Sequence, residues 1–116
     1  MANLRQMVFS AMLTAFISPS VLTFNLTILH TNDVGDRMEE FDNRLGGCSQ
    51  DESTNGECYG GVPRQATAIN KIRDTEDNVL LLDAGDQFQG TNWFYLYQGE
   101  ATSYFMNRLG YDAMVR

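Results

Sequence analysis

Two aspartates follow the ends of two apolar segments, and their placement indicates metal chemistry. Asp33 follows the β-rich segment 24–30, and Asp86 follows the apolar segment 78–83. Because ligands bind beyond the carboxyl ends of the strands in parallel sheets, Asp33 and Asp86 are expected side by side at that edge. Two close carboxylates repel each other unless they are protonated or bridged by a cation. The pair therefore predicts a divalent-metal site, although each aspartate taken singly fits a turn or a helix cap equally well.

The loop that carries Asp86 is flanked by glycines. Gly85 precedes the acid and Gly90 follows it. Glycine lets the backbone turn sharply and approach a ligand closely. This composition favours a binding loop at the end of the second strand.

Hydrophobic periodicity predicts the elements that must position these acids. Pro63 stands at a permissive first-turn position of one helix, and Gly110 is placed as the C-cap of another. Alternating strands and helices predict an α/β fold with a parallel sheet and right-handed crossovers. The run 78–83 is nearly all apolar, which predicts a strand buried on both faces. The predicted elements are strands over 24–30, 78–83 and 111–115 and helices over 62–74 and 99–109, with loops over 34–61 and 84–90.

Residues 1–20 are predicted to be a secretory signal peptide that precedes the folded part, 21–116. A single positive charge precedes the apolar run 7–17, which is too short to span a bilayer because a span takes about 20 residues. The small residues Ser18 and Ser20 precede the predicted cleavage point. A buried N-terminal helix is the alternative. Since no second hydrophobic segment follows, we expect a secreted, extracellular chain with no transmembrane segment.

The charge balance bears on possible partners. Fifteen Asp+Glu against eight Lys+Arg give a net charge of −7, and the basic residues are scattered along the chain. A protein that binds a phosphate backbone needs a basic stripe, so nucleic acid is not expected as a partner. An acidic chain that handles phosphate needs cations to do so.

Cys48 and Cys58 are the only cysteines, and they enclose a polar, loop-like segment. In an oxidising compartment such a pair is typical of a disulfide. Closing so short a loop stabilises by roughly 2–3 kcal/mol in the chain-entropy model. Two free thiols or half of a metal site are the alternatives.

Four blocks of the sequence carry a resemblance to a known family. They resemble the N-terminal portion of the secreted 5'-nucleotidases, a family that includes ecto-5'-nucleotidase and the salivary apyrases of blood-feeding arthropods. The resemblance implies a partial calcineurin-like metallophosphoesterase layer, incomplete at its C-terminus. It also implies two metal ions, usually zinc, that activate water against the terminal phosphate of an extracellular nucleotide. The blocks are 26–33 (LTILHTND), 60–64 (GGVPR), 79–91 (VLLLDAGDQFQGT) followed by Trp93-Phe94, and 110–114 (GYDAM).

The resemblance assigns roles to individual positions. Asp33 matches a ligand of the first metal ion, and Asp86 matches the ligand that bridges the two ions. His30 matches a position that is not a ligand, and we expect it to be a partly buried strand-end residue. The cysteine pair falls in the loop where the family places a disulfide.

Two departures from the family pattern limit what the chain is expected to do. The family has a histidine ligand two residues after the first aspartate, where this chain has Gly35. Asp36 is adjacent, but a carboxylate displaced by one residue points elsewhere. The family continues past the equivalent of Met114 into Gly-Asn-His-Glu, further histidine ligands and a nucleotide-binding domain. With His30 as its only histidine, the chain is expected to be inactive alone.

Three functions fit these residues. The first is an N-terminal fragment of an extracellular 5'-nucleotidase, which converts a nucleoside monophosphate into nucleoside and phosphate. The second is an apyrase that hydrolyses ATP and ADP, since substrate choice lies in the family's C-terminal domain. The third is a secreted non-catalytic remnant or binding protein, for which Gly35 is the main argument.

Asn25-Leu26-Thr27 is a formal acceptor sequence for an N-linked glycan. It lies within the strand predicted over 24–30. In a central strand of a covered parallel sheet, the asparagine would lack room for a glycan. We therefore expect Asn25 to be mostly unmodified.

We predict that the chain binds Zn²⁺ weakly and prefers harder ions such as Mg²⁺ or Mn²⁺. Asp33 and Asp86 offer only oxygen ligands and Gly35 offers none, whereas zinc in proteins favours nitrogen and sulfur ligands. Titration calorimetry on refolded 21–116 measures both affinities. Submicromolar Zn²⁺ affinity that is abolished by Asp86→Ala would contradict this prediction.

Overall fold

The structure, a computed structural model, describes residues 23–115, and the predicted signal peptide lies outside them. No helix within 23–115 is long and apolar enough to cross a membrane. The described elements are β1 (Thr27–Thr31), α1 (Gln50–Thr54), α2 (Val62–Arg73), β2 (Val79–Asp83), α3 (Asn92–Tyr97), α4 (Gly99–Leu109) and β3 (Ala113–Met114).

The three strands form one parallel sheet in the order β1-β2-β3. This arrangement confirms the α/β fold predicted from the sequence. β1 begins at Thr27 rather than at 24, because the Thr27 N–H makes the first backbone hydrogen bond towards β2, to the carbonyl of Asn78 at 3.1 Å. β3 is also shorter than predicted and consists of Ala113 and Met114.

Helices α2 and α4 pack against one face of this sheet. Ile69 of α2 and Leu109 of α4 form a buried cluster with Leu81 of β2. Arg73, the last residue of α2, donates to the carbonyls of Leu109 (2.7 Å) and Gly110 (2.6 Å), which satisfies acceptors that a helix end leaves open. Gly110 has a left-handed φ of 72°, which confirms the predicted C-cap.

The opposite face of the sheet is open among the described residues. Ile28 is 54% exposed and its partner across the strands, Leu80, is 37% exposed. Leu81, one position further along β2, is only 1% exposed because it faces the two helices. The prediction that 78–83 is buried on both faces is therefore wrong within 23–115. A continuous apolar run predicts that side chains on both faces of the strand will be buried. It does not predict which element packs against each face.

Two short helices have no counterpart in the predicted elements. α1 lies inside the predicted loop 34–61 and begins with a capping box, in which Ser49 and Glu52 each accept the other's backbone N–H. α3 begins after Thr91, whose hydroxyl accepts the N–H of Trp93 at 3.2 Å. Helices of five and six residues are too short to show a hydrophobic period, so only their capping residues identify them.

Short local contacts hold the loop between β1 and α2. Phe41 and Tyr59 exchange two backbone hydrogen bonds, of 2.9 and 2.8 Å. Cys58, which precedes Tyr59, lies at disulfide-bonding distance from Cys48, with the two Cα atoms 6.0 Å apart. This placement supports the predicted disulfide over two separate thiols.

A tight turn follows Phe41. Asp42 accepts the backbone N–H groups of Gly46 (2.7 Å) and Arg44 (2.8 Å). These two hydrogen bonds, together with the Arg44 side chain, lower the pKa of Asp42 below its ordinary value. The turn's contribution to stability is therefore present above the ordinary aspartate pKa and is lost as the pH falls through the lowered one.

We predict that 21–116 alone shows no sharp cooperative thermal transition. A parallel sheet with one uncovered face and open edges favours association over folding. Circular dichroism melts and binding of a hydrophobic dye measure this behaviour.

Two variants test whether the uncovered face of the sheet causes this behaviour. Leu80→Thr, on the open face, should lower dye binding, whereas Leu81→Thr, in the core, should remove much of the remaining helical signal. A sharp transition in the unaltered chain, or equal effects of the two substitutions, would contradict this explanation.

Candidate metal centre

The loops after β1 and β2 are joined by backbone hydrogen bonds at the carboxyl edge of the sheet. The Asp33 N–H donates to the carbonyl of Gly85 at 3.0 Å, and the Gly35 N–H donates to the carbonyl of Asp86 at 3.0 Å. A third bond runs from the Asp36 N–H to the Gln87 carbonyl at 2.8 Å. The structure thus brings Asp33 and Asp86 onto two adjoining loops, at the edge where the sequence predicts them.

Asp33 and Asp86 share an unusual backbone conformation. Their φ angles are 55° and 56°, in the left-handed region, and both residues are exposed. Such a conformation costs about 1–3 kcal/mol for a residue other than glycine, and strain of this kind collects at functional sites. The amide of Asn32 donates to one oxygen of Asp33, which helps to fix that carboxylate. Asp33 and Asp86 thus place two exposed carboxylates on adjoining loops, an arrangement that is suited to binding a cation.

Asp83, at the end of β2, is buried and anchors the loop that carries Asp86. One of its oxygens accepts the Gly85 N–H at 2.9 Å, and the other accepts the Thr31 hydroxyl at 2.5 Å and the Gln87 amide. Asp83 therefore ties the end of β1 to residues on both sides of Asp86. This role of Asp83 was not predicted from the sequence. The alternation of β2 is the signal for it, because Asp83 shares the buried face with Leu81.

The Asp83 network continues to Tyr111, which follows α4. The Tyr111 hydroxyl lies 2.8 Å from the Thr31 hydroxyl oxygen. Burial raises the pKa of Tyr111, the hydrogen bond with Thr31 lowers it, and the Asp83 carboxylate raises it, with a net increase. The neutral phenol is thus favoured in the folded chain. This preference supports folding below pH 10 and is lost as the pH rises through the Tyr111 pKa.

Two glycines make the closest approach between the loops. A Cβ atom at Gly90 would collide with the carbonyl oxygen of Gly35, so only glycine fits there. Gly35 has a φ of 57°, and a Cβ built on it would lie 3.3 Å from the carbonyl oxygen of Gln89. A side chain at position 35 would require a small shift of this backbone and would also be strained, because the φ angle lies in the left-handed region. As it stands, position 35 offers no side-chain ligand.

Asp36 does not replace the missing ligand. Its side chain is fully buried, with Oδ1 accepting the Thr102 hydroxyl of α4 at 2.8 Å and Oδ2 without a hydrogen-bond partner in the described part of the chain. Its carbonyl accepts the Thr91 hydroxyl at 2.7 Å. Asp36 thus fastens the first loop to α3 and α4, in agreement with the expectation that it points away from the metal edge.

His30 is exposed, so the prediction that it is partly buried is wrong. It lies opposite Leu82, and like Ile28 it belongs to the face of the sheet that no described element covers. His30 is exposed because no described element packs against this face of the sheet, and the local sequence does not indicate this.

Among residues 23–115, one group of three candidate metal ligands lies close together, formed by Glu40, Cys48 and Cys58. The two sulfur atoms are at bonding distance from each other, so they do not act as separate ligands. Asp33 and Asp86, on the paired loops at the sheet edge, offer oxygen donors only. These donors fit part of the site of a hard divalent cation and supply none of the nitrogen that zinc favours.

The described residues form an α/β protein with an acidic edge beyond its parallel strands. The chain belongs to the calcineurin-like phosphoesterase family, whose model matches residues 26–115. This family depends on divalent metal ions.

Within this family, the chain is most informatively compared with proteins named 5'-nucleotidase. The chain is 55% identical over 92 residues to a snake venom 5'-nucleotidase from Naja atra, in a match that covers 79% of this chain and 16% of that protein. It is 50% identical over 105 residues to the 5'-nucleotidase of Bos taurus, with 88% and 17% covered. The crystal structure of a 5'-nucleotidase precursor from Thermus thermophilus matches with a TM-score of 0.65 at 41% identity, covering 78% of this chain and 17% of that one. The resemblance to 5'-nucleotidases is confirmed, and the chain spans about one sixth of the length of these relatives.

We predict that Asp83→Asn lowers the pKa of Tyr111, because the substitution removes a negative charge close to the phenol. NMR titration of the Tyr111 ring resonances measures this pKa, with Tyr95 as an exposed internal control. An unchanged or raised pKa of Tyr111 in the variant would contradict the described network.

Proposed function

We propose that this chain supplies one side of the metal-binding edge of an extracellular nucleotide phosphohydrolase, one that removes phosphate from nucleoside 5'-monophosphates. The observation that carries the proposal is the placement of Asp33 and Asp86 on adjoining loops in a chain about 50% identical to 5'-nucleotidases.

Each part of the edge has a definite task in this proposal. A divalent cation polarises a phosphoryl oxygen and lowers the pKa of water, and these effects drive metal-assisted phosphate hydrolysis. Asp33 and Asp86 would hold the cation, and Asp83 fixes the loop that carries Asp86. Gly90 lets this loop lie directly against the first one.

The donor set bears on which metal is bound. The resemblance implies zinc, but Gly35 leaves the first ion without a nitrogen ligand from this loop. An all-oxygen set favours Mg²⁺ or Mn²⁺. We infer that any ion bound by this chain alone is held weakly, and that catalysis depends on ligands outside 23–115.

An extracellular location is part of the same proposal. It is supported by the predicted signal peptide, by two cysteines at bonding distance and by relatives named as snake venom proteins. Disulfides persist in oxidising compartments, which agrees with secretion.

One observation favours a second function. Because Gly35 removes a ligand that the resemblance leads us to expect, the chain also fits a secreted protein that has lost catalysis and only binds.

A segment exchange tests these alternatives. In the Bos taurus 5'-nucleotidase, the residues that align with this chain are replaced by 26–115, and phosphate release from AMP, ADP and ATP is measured. We expect weak, metal-dependent hydrolysis that Asp86→Ala abolishes. Gly35→His should raise the activity by about 10- to 100-fold because it restores a nitrogen ligand.

Gly35→Ala is the matched control. It adds the same Cβ at a φ of 57° without an imidazole, so it should not raise activity. Absence of activity with both Gly35 and Gly35→His, in an exchanged protein that folds, would contradict the proposed role of this edge. Activity that is independent of residue 35 would exclude the non-catalytic alternative.

A further inference from the structure

The chain contains one N-linked glycosylation sequon, Asn25-Leu26-Thr27. The sequence-based expectation that it stays unmodified depends on two premises: that Asn25 lies inside a strand, and that this strand is central in a covered sheet. Within residues 23–115 the structure supports neither premise.

Asn25 precedes β1, which begins at Thr27, and it is exposed. Its backbone carbonyl accepts the side-chain amide of Asn78 at 3.1 Å, which holds the main chain in place. Within residues 23–115 its own side-chain amide makes no hydrogen bond. The acceptor nitrogen is thus free to carry a substituent while the backbone keeps its contact.

The surroundings of Asn25 also leave room. β1 is an edge strand of the described sheet, with β2 as its single neighbour. The residues on either side of the asparagine are exposed as well, Phe24 by 73% and Leu26 by 48%. No described element would have to move to accommodate a bulky, hydrated group at this position.

Strand pairing does not block the sequon at the time when it would be modified. Thr27 lies in β1, and its backbone pairs with the segment around Val79, more than fifty residues later in the chain. The parallel pairing cannot form until that segment has emerged. The sequon is therefore unpaired when it first reaches a glycosylating enzyme, and the folded chain then needs only the space described above.

We propose that Asn25 is an N-glycosylation site of this protein. In the reaction, the side-chain nitrogen of Asn25 forms a bond to C1 of an oligosaccharide carried on a polyprenyl pyrophosphate. The bond from C1 to the pyrophosphate breaks, the lipid pyrophosphate leaves, and the nitrogen loses one proton. The inference rests on the proposed extracellular location, because this donor is used on the lumenal side of the secretory pathway.

The test is translation of the full chain, 1–116, in the presence of endoplasmic-reticulum microsomes. We expect a protease-protected product whose electrophoretic mobility shifts by one glycan and returns on treatment with peptide N-glycosidase. Asn25→Gln and Thr27→Val should abolish the shift, whereas Thr27→Ser, which keeps the sequon, should retain it. Valine is a good β-former, so Thr27→Val removes the hydroxyl with little effect on β1.

A second version of the chain carries a proven secretion signal before residue 21. It distinguishes failure of the glycosylation site from failure of the native chain to enter the secretory pathway. A protected but unshifted product of this version would overturn the proposed site. A shift in this version but not in the native chain would support the site and overturn the extracellular location. A shift that persists in Asn25→Gln would also overturn the proposal, because the glycan would then lie elsewhere.

Discussion

The functional edge depends on the direct pairing of two loops that lie far apart in the sequence. Three backbone hydrogen bonds join the segment after β1 to the segment after β2. The buried carboxylate of Asp83 fixes the second segment by accepting hydrogen bonds from it. Without this pairing, Asp33 and Asp86 would be two unrelated acids on flexible turns. With it, they occupy one edge at fixed positions, which is the condition for sharing a cation. The close approach of Gly90 to Gly35 shows how little space separates the loops.

The electrostatics of this edge follow from the same packing. Asp33 and Asp86 are exposed, whereas Asp36 and Asp83 are buried directly behind the loops that carry them. Asp36 leaves one carboxylate oxygen without a hydrogen-bond partner among the described residues, an arrangement that is costly to folding. The exposed carboxylates of Asp33 and Asp86 create a negative field that opposes an anionic phosphate unless a cation intervenes. The net charge of −7 adds to this requirement.

Much of this arrangement could be predicted from the sequence. Strand β2 could be predicted from the apolar run that ends at Asp83, and helix α2 from the helical spacing around Ile69, because each pattern is local in the sequence. The uncovered face of the sheet was not predictable, since the exposure of Ile28 and His30 depends on what packs above them. The buried roles of Asp36 and Asp83 likewise arise from contacts with Thr102 and Thr31, which only the folded chain brings near.

Asp33 and Asp86 are inferred to bind one cation between them, and paramagnetic broadening of backbone amide signals by Mn²⁺ in the exchanged 5'-nucleotidase is the decisive measurement. The amides of Gly35 and Gly85, on the two paired loops, should broaden together at the same low Mn²⁺ concentration, and either Asp33→Ala or Asp86→Ala should remove both effects. The turn at Asp42 serves as an acidic control elsewhere in the chain. Broadening at that turn alone, or loss of the effect on one loop only in each variant, would contradict the claim.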